Sequence, residues 1–507
     1  MDFAAELRQG LAVLHPASVA DVQAAVQAAR AQGWKLYPVA TGRNWGYGSE
    51  RPLPEGHRKL DMSGMRNILN AGQISRAEPV AVIEPGVTQG QLQEFLAQSH
   101  PGLTFNVTGS ARETSLIGNA LDRGVGYLGP RRDDLFGLEV VTGTGEVIQT
   151  GFRRLGEDSP LAHCHPFGLG PMLDGLFFQG NFGIVTSACF RLMPRPASQL
   201  AVSLALHRSA DLARFIDVLA ELKRERIMGS VTHVGNRDRT RASLLYGVSD
   251  YLERQCGLQG KARDDAAQQA LRIVAPHEWT SLGGISGTRA QVAAALKEVK
   301  GRMAGLAKLS TFDDNRLAKG FALLHRLRRL PWARTRAAAL SAITPLNGLA
   351  SGMPTDAAVD NLLWRFGRTD LPAQQLDRSN CGILYINPAL PMNGRFVAEV
   401  IAAMTALTAE CGLQLYVTIN IETENSLVAV ANLLFDRASA AEMGRAQECA
   451  DSLHAYIRSR GLEVYRARAD MMPGIVDAAS PYWQAVARLK RALDPDGVIA
   501  PGRYNLC

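Results

Sequence analysis

A chain of 507 residues is too long for one ordinary core, so two domains are expected. Hydrophobic residues at 46% and charged residues at 20% give a globular composition and exclude a disordered chain. The net charge of +7 is mild for this length, and no nucleic-acid motif accompanies it, which excludes a nucleic-acid partner.

No apolar run reaches the roughly 18 residues that cross a bilayer. Residues 1–10 lack the basic start and apolar centre of a secretory signal, so a cytoplasmic location is the default expectation. Seven cysteines stand at 164, 189, 256, 381, 411, 449 and 507. Their odd number and the lack of a CxxC pair argue against a disulfide framework and a structural zinc site. Most read as small buried hydrophobes.

Along the chain, Ser18 is placed to cap a helix in which Val22, Val26 and Ala29 recur at helical spacing up to Gly33. Residues 35–40 read as a short strand entering a glycine-rich loop. Residues 80–87 read as strand then turn, and 88–98 as a helix with Leu92, Phe95 and Leu96 on one face. The Gly143-Thr144-Gly145 segment lacks a third glycine at dinucleotide-binding spacing. Strand-like residues flank it, so it reads as a hairpin turn. His163 and His165 flank Cys164, but no nearby ligand set completes a metal site, and a loop or strand is expected there. The texture changes after Pro194-Arg195-Pro196, where strands such as 199–206 and 382–386 alternate with Ala-rich helices such as 396–411. From 316 to 336 there are seven Lys or Arg and no acid. This stretch is either a solvated helical face or a docking patch for a membrane surface or an acidic redox partner. A helix over 483–493 ends in the turn Asp494-Pro495-Asp496-Gly497.

Three glycine-bearing stretches carry chemistry. The first is Pro38-Val39-Ala40-Thr41-Gly42-Arg43-Asn44-Trp45-Gly46-Tyr47-Gly48-Ser49, a strand running into a glycine-rich loop. Glycine permits close backbone approach, and consecutive N–H groups can form a nest for a pyrophosphate, with Arg43 adding charge and Asn44 a hydrogen bond. An ordinary glycine-rich turn is the other reading. The second runs from Gly109 and Ser110 through Ser115, Ile117, Gly118 and Asn119 to Gly126 and Tyr127. It supplies small donors for a phosphate or a flavin edge, or is simply a capped helix start. The third, 177–186, places Gly180 and Gly183 around a tight turn into Ile184 and Val185, and core packing is its plainer reading.

In their order, these segments resemble the vanillyl-alcohol oxidase and p-cresol methylhydroxylase family of FAD enzymes. The resemblance continues through His165-Pro166-Phe167-Gly168, Asn181-Phe182-Gly183-Ile184-Val185-Thr186, Gly352-Met353-Pro354-Thr355 and Asp494 to Arg503. It covers nearly the whole chain and is weak over 200–340. It implies an α+β fold of two domains. An FAD-binding domain comes from both chain ends (1–199 and 463–507), with a central cap (200–462) of antiparallel sheet covered by helices. It places FAD on Thr41 to Gly48, Gly109, Ser110, Ser115, Ile117, Gly118, Asn119, Gly126, Gly183, Ile184, Val185 and Arg503. It implies oxidation of a para-substituted phenol, with hydride passing from the benzylic carbon to flavin N5. Molecular oxygen or a redox protein is the electron acceptor, and a homo-oligomer is expected.

Tyr465 and Arg466 stand where the family binds the phenolate, and the pair suits an oxyanion. The family's acid near the flavin falls on Asp133 or Asp134, in a segment two residues shorter than usual. Arg131 and Arg132, directly before, suit a substrate carboxylate or the flavin. Many members attach FAD through a cap histidine. Here Ile383 holds that position, so FAD is expected to be non-covalent, with Tyr385 the alternative for a tyrosyl link. Two rival functions stay open: oxidation of a hydroxy acid or sugar lactone, and a flavin-binding subunit without chemistry of its own.

Overall fold

The computed structural model describes residues 3–48 and 56–506. Ser49, at the end of the first glycine loop, and Cys507 lie outside them. The fold is α+β. Among the described residues no helix is long and apolar enough to cross a membrane.

Ser18 accepts a hydrogen bond from Asp21 N at 3.2 Å and starts the helix Val19–Gln32, which Gly33 ends at φ 70°. Val22, Ala25, Val26 and Ala29 share the buried face of this helix. They pack with Leu14, Leu36 and Leu60 of a three-stranded parallel sheet, Val13–Leu14, His57–Asp61 and Lys35–Val39.

The other end of the chain joins the same core. Leu36 N donates to Val498 O at 2.7 Å, and Ala500 N donates to Leu36 O at 2.8 Å. Val498, Ile499 and Ala500 are buried in that cluster. The helix Pro481–Leu493 delivers Lys490 into the interior. Its Nζ donates to Asn181 O at 2.6 Å and Ile499 O at 2.7 Å, and lies 2.6 Å from Asp494 Oδ2. Asp494 in turn accepts from the backbone of Val498 and Ile499 at 2.8 Å each.

A four-stranded antiparallel sheet sits beside this core, in the order Val80–Ile83, Gly183–Arg191, Leu135–Thr142, Val147–Gln149. The last two form the hairpin expected around Gly143-Thr144-Gly145, with Gly145 at φ 85°. Thr88 caps the helix Gln89–Ser99 that follows the first of these strands.

The middle of the chain builds an eight-stranded antiparallel sheet from Ser198–Leu206 to Ser426–Asp436. Strand side chains alternate between faces. On one face Val202, Leu204, Val417, Ile419 and Leu433 form a core with the helices Leu212–Arg224, Arg289–Arg302, Gly394–Glu410 and Ala440–Ser459. The opposite face is different. Cross-strand register places Ser203, Leu282, His233 and Asn420 in one row. Ala205, Thr280, Gly235, Thr418 and Val430 fall in the next. Ile383 and Tyr385 of Cys381–Ile386 lie on this face too. It lines a cavity instead of a packed core.

Candidate active site

Two cavities meet in the molecule, one of about 610 Å³ and one of about 620 Å³. Arg43, Asn44, Asn119 and Arg466 line both. The smaller is walled by Thr41, Gly42 and Gly48 of the first glycine stretch, and by Ser115, Ile117 and Gly118 of the second. Gly183, Ile184, Val185 and Arg503 complete it. Gly42 at φ 68° and Gly48 at φ 106° lie in the left-handed region that favours glycine. Ser115 N donates to Thr41 Oγ1 at 3.2 Å, tying the two loops together. Ser115 Oγ accepts from Gly118 N at 2.9 Å and caps the helix Leu116–Leu121. A Cβ on Gly118 would sit 3.2 Å from Ala40 Cβ, so the two segments approach closely there.

These walls fit FAD. Arg43 Nε, Arg503 Nη1 and Asn119 Oδ1 are buried on them without a partner in the protein, as is Trp45 Nε1 on the larger cavity. A buried polar atom left unpaired costs about 1–3 kcal/mol. Three donors and one acceptor match a ligand with phosphate oxygens, ring carbonyls and an imide N–H.

The larger cavity lies between this cradle and the eight-stranded sheet. Gly109, Ser110, Trp45, Tyr47, Tyr385, Ile383, Tyr465 and Arg466 reach it. Arg466 Nε lies 2.6 Å from Asp122 Oδ2, and Nη2 donates to Asn44 Oδ1. Its Cζ stands 3.9 Å from the Tyr47 ring centroid, a cation–π contact. The Tyr47 ring stacks on Tyr385 at 4.7 Å and 8°. Asn387, fully buried, donates from Nδ2 to the Tyr47 hydroxyl, which leaves the Tyr47 proton to donate elsewhere. Tyr465 N donates to Asn387 O at 3.0 Å, and its hydroxyl is a hydrogen-bond neighbour of Tyr47.

Electrostatics fix the protonation states. Burial works against the Arg466 charge, but Asp122, Tyr47 and Tyr465 outweigh it and hold Arg466 above its ordinary value. Burial raises Tyr47 and Tyr465, and Arg466 offsets only part of this. Arg466, Tyr47 and Tyr465 therefore form a group of a cation beside two protonated hydroxyls.

Three expectations need correction. Asp133 and Asp134 line neither cavity. Asp133 is 57% exposed beside Arg132. Asp134 is folded inward, 3.4 Å from Arg131 and accepting from Asn106 Nδ2 at 3.1 Å. Burial pushes its carboxyl up to about 7 despite Arg131. Arg131 is itself fully buried against Phe190 and the Asn106 carbonyl, so it is closed to a substrate carboxylate. Gly46 and Gly126 also stay off both cavity walls. A Cβ on Gly46 would lie 2.5 Å from the Tyr385 ring, and one on Gly126 would lie 2.3 Å from Asn106 Oδ1, so both are packing glycines. Asp134→Ala is expected to strip Arg131 of its partner and cost about 3–5 kcal/mol. Chemical denaturation will read that loss, while flavin reduction per bound flavin stays near the parent value.

The structure also adds residues. Tyr47, expected among the cofactor residues, lines the larger cavity together with Tyr465 and Arg466. Asp122, Asn387, His233 and Arg239 had no local signature. His233 and Arg239 line the larger cavity. Of the basic stretch, Arg336 faces that cavity and Arg316 is exposed. His163 pairs with Glu157 at 2.8 Å and His165 packs edge-on against Phe152.

Comparison with known proteins agrees with this geometry. The family model described as FAD binding domain matches residues 10–151. The 1'-carboxy-chondrochloren decarboxylase of Chondromyces crocatus is 30% identical, over 97% of this chain and 90% of its own length. The flavoprotein subunit of 4-cresol dehydrogenase [hydroxylating] from Pseudomonas putida is 25% identical, over 96% of this chain and 86% of its own. The crystal structure of p-cresol methylhydroxylase with substrate bound shares the fold, with a TM-score of 0.80 at 24% identity, over 97% of this chain and 88% of that one. With its cradle formed from both chain ends and its FAD-binding segment matched, the chain belongs to the vanillyl-alcohol oxidase and p-cresol methylhydroxylase family of FAD-dependent oxidoreductases.

Proposed function

We propose that the enzyme oxidises a small para-substituted phenol at the benzylic carbon. The observation that carries this reading is the convergence of Arg466, Tyr47 and Tyr465 where the two cavities meet. A charged guanidinium and two protonated hydroxyls favour the anionic form of a phenol placed among them. A phenolate pushes electron density to its para carbon and weakens the benzylic C–H bond towards hydride loss. FAD, when bound, supplies the hydride acceptor. The residues of this chain do the rest. Arg466 and the two tyrosines hold the oxygen, Asn387 fixes Tyr47, and the stacked ring of Tyr385 forms a wall.

One relative is named for 4-cresol, itself a para-substituted phenol. Another is named as a decarboxylase of a carboxylated compound, which brings phenols with an acidic side chain within the same reading. Under argon, 4-alkylphenols are expected to bleach the bound flavin while 2-hydroxy acids and lactones leave it yellow. Bleaching by the hydroxy acids alone would overturn the phenol assignment.

Non-covalent FAD belongs to this proposal. Ile383 offers no nucleophile at the family's linkage position, and Tyr385 is held in its stack with Tyr47 beneath Gly46. Acid precipitation is expected to leave the flavin in the supernatant, whereas a yellow pellet would show a covalent bond.

A further inference from the structure

Resting on the phenol reading, we infer that the substrate's side chain carries a carboxylate bound by Arg239, and that oxidation releases this carboxylate as carbon dioxide. Arg239 belongs to the helix Arg237–Ala242, capped by Asn236, whose Oδ1 accepts from Arg239 N at 2.9 Å. A Cβ built on Gly235 would lie 3.9 Å from Arg239 Cγ and 3.0 Å from Thr240 Oγ1. The Arg239 stem therefore lies over Gly235, on the sheet face that lines the larger cavity.

Arg239 differs from Arg466, which lines the same cavity. Arg466 is paired with Asp122, whereas no carboxylate pairs with Arg239 among the described residues. The groups that feel its charge are Tyr385, Tyr127 and His233, none of them acidic. His233 adds no negative charge. Its Nδ1 is 2.7 Å from Asn420 Oδ1, and burial drives its pKa down to about 4, so the ring is neutral. Beside Gly235, in the neighbouring strand, Thr280 Oγ1 is buried with no partner. A lone guanidinium and an unpaired hydroxyl on one cavity wall make a donor set for a carboxylate.

Tyr47 lies between the Arg466 guanidinium and the Tyr385 ring, and Arg239 lines the same cavity as this stack. A phenol whose oxygen is held at Arg466 leaves its para substituent to the rest of this cavity, which Arg239 lines. The electron flow balances for a carboxylate on the carbon next to the benzylic one. The benzylic C–H bond gives its electron pair and hydrogen to the oxidised flavin, and the phenolate becomes a quinone methide. The bond to the carboxylate then breaks, its pair forms the new carbon–carbon double bond, and the ring oxygen regains its electrons. A 4-vinylphenol and one CO2 leave for each flavin reduced by two electrons.

The test compares 3-(4-hydroxyphenyl)propanoate with 4-ethylphenol, which has the same skeleton without the carboxylate. Dissociation constants come from equilibrium dialysis with the FAD-loaded protein, and CO2 from a labelled carboxyl group. The acid is expected to bind about 100-fold tighter than the phenol, and Arg239→Leu to erase that preference. Arg239→Lys, which keeps the charge, is expected to retain most of it and so guards against a folding defect. One labelled CO2 per flavin reduced supports the inference. An Arg239→Leu protein with the parent preference, or flavin reduced by the acid with the label retained, overturns it. If 4-ethylphenol bleaches the flavin and the acid neither binds nor reacts, the carboxylate inference alone falls. If neither compound bleaches it, the phenol reading falls as well.

Discussion

Arg466→Ala is expected to slow flavin reduction by a para-substituted phenol about 10³-fold while the protein stays yellow. The loss is large because Arg466 is the one charged group aimed at the oxygen, while Tyr47 and Tyr465 contribute neutral donors. Without it a bound phenol keeps its proton, and hydride loss from a neutral phenol lacks the electron push of the anion. Part of the effect is positional. Arg466 also holds Asn44 and Asp122, one from each glycine stretch, so its removal loosens the junction of the cavities. Arg466→Lys separates the two contributions. An ammonium keeps the charge but cannot reach Asp122, Asn44 and the substrate together, so reduction is expected to be intermediate. Stopped-flow absorbance of the flavin under argon reads both variants. A rate equal to that of the parent protein would remove Arg466 from the site.

Asp494→Ala is expected to destabilise the fold by about 3–5 kcal/mol and to release the cofactor. Lys490 and Asp494 are both fully buried, 2.6 Å apart. Removing the acid leaves an ammonium in the interior and two backbone N–H groups, of Val498 and Ile499, without their acceptor. A Cβ on Gly143 would already overlap the Asp494 carboxylate, so the neighbouring hairpin is built around it. The residues that follow reach Arg503 on the cradle wall, so the loss should appear twice, as a lower denaturation midpoint and as weaker FAD retention on a desalting column. Replacing both partners by apolar residues, Lys490→Met with Asp494→Leu, is expected to recover part of the stability, because no buried charge is then left alone.

The legible parts of this molecule are those whose cause is local. Ser18, Thr88 and Ser115 cap the helices they precede because a hydroxyl and a following helical pattern suffice. The glycine stretches at 42 and 118 read as a cradle because tight backbone approach needs no distant information. The residues whose surroundings are not legible depend on tertiary packing that no local pattern gives. Asp134 looks like a base beside a flavin segment, yet Arg131 and Asn106 bury it. Tyr47 sits among cofactor-loop residues, but its seat is set by Tyr385 and Asn387 from the central part of the chain. His233 and Arg239 carry no motif. Only the cross-strand register of Thr232–Asn236 with Trp279–Gly287 and Tyr416–Ile421 brings them to the cavity.

The cradle's dependence on both chain ends also orders events during synthesis. Translation proceeds from the N-terminus, so residues 35–39 are outside the ribosome long before residues 498–503 have been made. The parallel strands of the first segment lack this last neighbour and Lys490 until residues 490–500 have been made. A chain clipped before its final helix is therefore expected to lack Arg503 on the cradle wall and to retain less FAD on a desalting column.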